Sequence, residues 1–368
     1  MSDIRVRWGL FAVTAVAVLS VAGCGGLGAT PTPVRDPAPT LAATPMPIPV
    51  STPAPPTARS SVSVPSSIDA TGSTDASAAL TVFLATVPDG SMILFRAGGV
   101  YRMDRGLRFS DRHDLIFEGN GAVLRSNGVS ACARDCSLFY LLEDNTRIVI
   151  RDFNLVGNSP TPGIFLESWQ HASGITIVGG SDVEIANVTV SGVGGDGLTL
   201  SGVAPAWPDA ISFHDSHVIS SGRMGVAVVA GRNVTVQRVQ FDTVAYGVFD
   251  IEPNDTTQGA SGIRFLDNAA GTWTHEFGFF FAANGAPGAA VADVTVSSNT
   301  ITRSPLTTSV TVGRRQDIAF TSNTSTLPAA GPVLRFAHVD SLMVTGNVQP
   351  LTSGVLASIT DSTGVTSQ

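Results

Sequence analysis

A seven-residue run recurs eight times between residues 114 and 347: DLIFEGN, RIVIRDF, DVEIANV, NVTVQRV, GIRFLDN, DVTVSSN, DIAFTSN and SLMVTGN. In every copy the second and fourth positions are apolar, the period-two pattern of a strand with one face in a core. Five copies end in asparagine at the seventh position: Asn120, Asn268, Asn299, Asn323 and Asn347. Asparagine tolerates the left-handed conformation of a tight bend, and its amide can bond the same residue one repeat along. The period is roughly 22 to 35 residues, with one longer interval of 51 between the copies at 182 and 233. A chain of this kind is expected to stack upon itself.

A second strand-like run lies between these copies, often opening on glycine: GIFLES (163–168), GLTLSG (197–202), GVAVVAG (225–231), VFDIEPN (248–254), GFFFAAN (278–284), SVTVG (309–313) and PVLRFA (332–337). Two or three strands in each ~25 residues, with no helix between them, exclude a doubly wound sheet and fit coils stacked at the ~4.8 Å strand spacing. The fold predicted is a parallel β-helix. One short helix is predicted ahead of it, over Asp75 to Val87, with Ala79, Phe83 and Val87 at four-residue spacing and Thr74 or Asp75 as its cap.

The two ends of the chain differ in composition from this repeat. Arg5 and Arg7 precede an apolar run from Leu10 to Ala22, which reads as an export signal too short to span a membrane comfortably. Val21-Ala22-Gly23-Cys24 resembles the lipobox of bacterial lipoproteins, a resemblance that implies Cys24 becomes a lipidated N-terminus in an extracytoplasmic, membrane-anchored protein. An ordinary secretory signal is the alternative. Residues 25–66 hold 11 of the 22 prolines and almost no large apolar side chains, so this stretch is expected to remain an extended tether. The repeat domain is then 67–368.

Cys132 and Cys136 form an even pair for a disulfide in an oxidising compartment, and no second Cys or His pair lies near at zinc-ligand spacing. With net charge −8 and no basic run, nucleic acid is excluded as a partner. A monomer is expected.

ATGSTDASAAL, then PDGSMILFRAGGVYRM, then GLRFSDRHDLIFEGNGAVLR is similar to the N-terminal portion of the pectin-lyase-like superfamily of right-handed parallel β-helices. GRMGVAVVAGRNVTVQRVQF followed by DIEPN resembles β-helix repeat proteins of that superfamily. The resemblance spans about residues 67–350 and implies the fold with a short N-terminal capping helix. One fold carries many chemistries, so activity has to be argued from a site.

The segment YGVFDIEPND concentrates Asp250, Glu252 and Asp255 in a chain that is only 14% charged. Aligned on its glycine, Asp250 would take the inward position held by Val228, Leu200 and Phe281, at a cost of several kcal/mol for an unpaired carboxylate in the core. Shifted by one, Val248 meets Gly225, Phe249 and Ile251 point inward, and Asp250 and Glu252 face outward, ~7 Å apart along the strand. In that register the outer face carries Glu167, Thr199, Arg223, Asp250, Glu252 and Glu276, with Asp196 at the strand entrance. Trp169, Trp207, Trp273 and His275 flank the same strands.

Acids and amides hold sugar hydroxyls and aromatic faces hold sugar rings, so the set is expected to be a glycan groove. Asp196, Arg223, Asp250 and Glu252 are its candidate catalytic residues, and Glu167, Trp169, Thr199, Trp207, Trp273, His275 and Glu276 its candidate substrate-binding residues. A hydrolase needs two carboxyl groups ~5–9.5 Å apart, and a lyase needs a base with a cation at the uronate, for which Arg223 and a carboxylate-bound Ca²⁺ are candidates. The clustered Asp pairs and Gly-His segment of polygalacturonases are missing, as is the full calcium ligand set of pectate lyases. Two readings therefore stand: a polysaccharide lyase or glycoside hydrolase, and a non-catalytic glycan-binding or scaffolding protein of the envelope. Asp250 and Glu252 also fit solvated charges paired with Arg223 and Arg232, and the tryptophans fit loop plugs.

Overall fold

The computed structural model describes residues 60–127, 136–275, 278–282, 286, 288–311 and 313–368. Cys24, Cys132 and Glu276 lie outside them, as do the signal segment and nearly all of the tether. Within the described residues the chain is a right-handed parallel β-helix. Ten parallel strands form one sheet, in order Leu107–Ser110, Phe139–Leu142, Ile175–Val178, Leu198–Ser201, Met224–Val228, Gly247–Ile251, Gly278–Phe281, Thr308–Val310, Leu334–Ala337 and Ala357–Thr360. The other two arms of each coil join a bent twenty-stranded sheet.

The seven-residue runs are the strands that enter this bent sheet, and left-handed residues mark both ends of each run. One row of positive φ precedes the strand interior at Asp114, Arg147, Asp182, Asn233, Asp293 and Asp317. A second row follows it at Asp152, Asn187, Asp215, Arg238, Asp267, Ser298 and Ser322. The sequence reading assigned the left-handed bend to the asparagine itself, which holds at Asn120 (φ 53°), while in the other four copies the structure moves it one residue earlier, to Asp267, Ser298, Ser322 and Gly346. The asparagines that follow turn inward and form a ladder. Asn268 Nδ2 donates to Asn299 Oδ1 (3.0 Å), Asn299 Nδ2 to Asn323 Oδ1 (2.8 Å) and Asn323 Nδ2 to Asn347 Oδ1 (3.1 Å).

Asn120 stands apart from that ladder, donating to the Phe95 carbonyl. The eight-copy pattern also passed over one coil, Asp209–His214, whose run AISFH is followed by Ser216 rather than Asn. Ser216 Oγ accepts the Val188 amide (3.0 Å), which satisfies that turn with a hydroxyl.

Inside the coils, Phe249 stacks on Phe265 (4.0 Å) and meets Phe241 and Phe279 edge-on. Glycines open the outer-sheet strands because the facing arm is close. A Cβ on Gly197 would lie 2.8 Å from a Val218 methyl and one on Gly225 2.6 Å from the Phe241 ring.

Four expectations are corrected. GIFLES is not a strand: Glu167–Trp169 is a short 3-10 turn in a long loop, and the strand of that coil is Ile175–Val178. The helix runs Ser77–Thr86 and buries Leu80 and Leu84 rather than Ala79, because the first coil packs against the face led by Ala76. Asp75 does accept the Ser77 amide at 2.9 Å. Ser60–Ser63 lies within the stretch read as tether and pairs with Ser91–Leu94, so ordered structure begins before residue 67. Phe281, aligned with inward Val228 from its glycine, instead sits in register with outward Asp250.

Candidate functional site

The shifted register of DIEPN is the one the structure adopts: Val226 pairs with Phe249, Ala227 with Asp250 and Val228 with Ile251. Val248 therefore occupies the row of Gly225, which is why alignment on glycine misplaces this strand. Phe249 and Ile251 point into the core, while Tyr246, Asp250 and Glu252 share the outer side by parity. That outer side is covered here. Asp250 has 0% and Glu252 6% of its surface exposed, and Asp196 has 1%.

Arg223 lies between the acids. Its Nη1 donates to Asp196 Oδ2 on the preceding coil (3.1 Å), and its Nη2 donates to Glu252 Oε1 on the following coil. The contact with Glu252 is the pairing with Arg223 that the sequence offered as one alternative for this acid. Asp196 also accepts the Thr199 hydroxyl (2.8 Å) and the Met224 amide (3.0 Å). Asp196 thus has three donors, while burial, partly offset by Arg223, raises its pKa.

Asp250 is different: neither of its oxygens receives a donor. Its lateral neighbours in register are Ala227 and Phe281, which have no side-chain donor to offer. Burial first, and the neighbouring Glu252 carboxylate second, push its pKa well above the usual carboxylate range. Asp250 and Glu252 form a carboxyl dyad at the end of one strand, two residues apart on the same side.

On this side of the coils the loop of residues 157–174 reaches toward later coils. Its Ser159 amide bonds the Gly192 carbonyl (3.0 Å), and its Gly163 amide bonds that of Ser220 (3.1 Å), one coil further on. Phe165 then stacks on Tyr246 at 4.3 Å, and the Tyr246 ring lies 4.3 Å from that of His275. Burial raises the Tyr246 pKa while nearby Arg223 lowers it, which puts the phenol beside the guanidinium. Sequence reading missed Phe165 and Tyr246. The parity of 246, 250 and 252 was the available signal for Tyr246, and nothing in the sequence pointed to Phe165.

The remaining candidates scatter. Glu167 is exposed on the covering loop, close enough to Tyr246 to raise its pKa. Trp169 backs onto Gly194, where a Cβ would meet it at 2.7 Å. Trp207 donates to the Thr257 carbonyl (2.9 Å) beneath Arg232, and Trp273 packs against Phe279 and the core. These two are loop and core plugs, because indole area is best used against apolar neighbours with its N–H bonded.

Cys136 is disulfide-bonded. Among the described residues no group of three or more His, Cys, Asp or Glu is arranged to hold a metal ion. Two of the three acids here already hold a guanidinium. The donor set does not fit Ca²⁺, which takes six to eight oxygens.

Residues 141–325, half of the chain, match the family model described as right handed beta helix region, and the chain belongs to that family. No curated protein sequence matches it. Among solved structures it is similar to the family 28 exopolygalacturonase of Yersinia enterocolitica, with a TM-score of 0.50, 10% identity and coverage of 80% of this chain and 76% of that one. It is also similar to the surface protein and adhesin PfbA of Streptococcus pneumoniae, with a TM-score of 0.52, 12% identity and coverage of 81% and 95%. The polygalacturonase of Erwinia carotovora ssp. carotovora gives 0.49 at 15% identity, covering 87% and 97%. At these identities the likeness is one of fold.

Proposed function

We propose that the protein is exported, anchored through lipid on Cys24, and binds a polysaccharide at the outer face around Asp196, Arg223, Asp250 and Glu252, where Asp250 can act as a general acid. The observation that carries this is a buried carboxyl group that receives no donor, beside Glu252 and Arg223, with burial pushing its pKa well above the usual carboxylate range. Perturbed acids of that kind cluster at functional sites. Asp250 would give its proton to the glycosidic oxygen as the C–O bond breaks and the leaving sugar departs as an alcohol. In hydrolysis, water then bonds to the anomeric carbon and its proton returns to the dyad. In elimination, the proton is instead lost from the sugar ring. Arg223 and Asp196 position Glu252 and hold its charge.

The fold is shared with an exopolygalacturonase and with a surface adhesin, so a binder without turnover is the second reading. It is favoured by the burial of the dyad, since Asp250 has to be uncovered before a polymer reaches it. The test is to incubate the purified full-length protein with neutral and uronate-containing polysaccharides, following reducing ends and unsaturated product, with Asp250→Asn as control. Product release that stops in the variant supports the enzyme. Binding without product supports the binder, and no binding at all ends both readings.

A further inference from the structure

Resting on the glycan reading above, we infer that the saccharide unit meeting Asp250 is uncharged, and that the site discriminates against uronates. The reason is the charge balance of the cluster. Asp196, Asp250 and Glu252 gather around Arg223, the one cation that acts on Asp196 and Asp250 among the described residues. Acids outnumber cations in the cluster by three to one.

The geometry removes the obvious anion clamp. A guanidinium recognises a carboxylate by presenting two parallel N–H groups, and here each terminal nitrogen of Arg223 already holds a protein carboxylate, one per neighbouring coil. Other arginines of the outer face are far along the axis. Arg335 follows Asp250 by three strands in its row, roughly 14 Å at the strand spacing, and Arg108 precedes it by five. Glu167, on the loop above, adds a further negative charge.

A sugar carboxylate placed here would therefore meet carboxylates with no free cationic partner, in surroundings that screen poorly. A neutral sugar meets a better match. The Asp250 carboxyl donates to a hydroxyl or ring oxygen, and Glu252 accepts. Elimination from a uronate relies on neutralising the sugar carboxylate so that its α-proton becomes acidic. The cluster favours hydrolysis or plain binding over elimination.

The experiment compares matched pairs by calorimetry on the full-length protein: galacto- with galacturono-oligosaccharides and manno- with mannurono-oligosaccharides, each with and without added Ca²⁺. The neutral member of one pair is expected to bind at least tenfold more tightly than its uronate partner, with binding lost in Asp250→Asn. Glu252→Gln is the second variant. It releases one arm of Arg223, and uronate affinity should rise toward that of the neutral sugar while melting shows the fold intact. Equal or tighter uronate binding in the wild type, abolished by Asp250→Asn, overturns this inference and leaves the glycan site standing. Discrimination unchanged in a folded Glu252→Gln also overturns it. Failure of every oligosaccharide to bind removes the glycan reading and this inference with it.

Discussion

Phe165 lies on Tyr246 at 4.3 Å, a ring from one coil resting on a ring three coils further along the axis. The contact ties the loop of residues 157–174 to later coils, and the amides of Ser159 and Gly163 are its other ties. Phe165→Ala removes a stacked pair worth ~0.5–1.5 kcal/mol beyond its area. Hydrogen exchange at the Gly163 amide should accelerate several-fold, while exchange in the asparagine ladder stays unchanged. Identical exchange in variant and parent would mean the stack does not hold the loop.

Arg223→Met should destabilise the chain by ~3–5 kcal/mol, because it strands Asp196 and Glu252, whose side chains are only 2% and 8% exposed. Adding Asp196→Asn and Glu252→Gln removes the stranded charges. The triple variant should recover most of the loss in a urea titration. A triple variant as unstable as the single one would show that Arg223 acts through packing.

The pH dependence of stability carries the signature of Asp250. Its pKa is raised in the folded chain, so the proton binds more tightly there than in the unfolded chain. The stability it contributes is full below the unfolded carboxylate pKa of ~4 and is lost as pH rises through the folded value. Asp250→Asn has no such loss. The variant's melting temperature should match the parent's near pH 4 and exceed it at pH 8, and a constant difference across that range would mean Asp250 is already ionised.

Asn299→Ala leaves the Asn268 amide and the Phe265 carbonyl without the partners they have at 2.9 and 3.0 Å. A cost of ~1–3 kcal/mol is expected for each buried group left unpaired. Asn323→Ala should behave alike. Asn120→Ala, outside the ladder, should melt close to the parent, and equal losses at all three positions would make the ladder irrelevant.

Cys24→Ser should move the protein from the membrane fraction to the soluble extracytoplasmic fraction when the cell envelope is fractionated. Retention in the membrane would end the lipid-anchor proposal.

The strands and their stacking were legible in the sequence because a period of two and a repeated asparagine are local properties of the chain. Even the inward turn of Phe249 and the outward turn of Asp250 followed from the cost of burying a lone carboxylate against the core. What the sequence could not determine was the environment of that outer face. Outward on a strand suggested solvent, yet Asp250 is fully buried, and the loop of residues 157–174, longer than any turn the repeat requires, reaches later coils to lie on Tyr246. The meeting of Arg223 with Asp196 and Glu252 depends on which side chains become neighbours across coils, 27 and 29 residues apart. Burial and that pairing together act on the Asp250 pKa, burial raising it and Arg223 lowering it, and both are properties of the packed coil stack; neither belongs to any single run of residues.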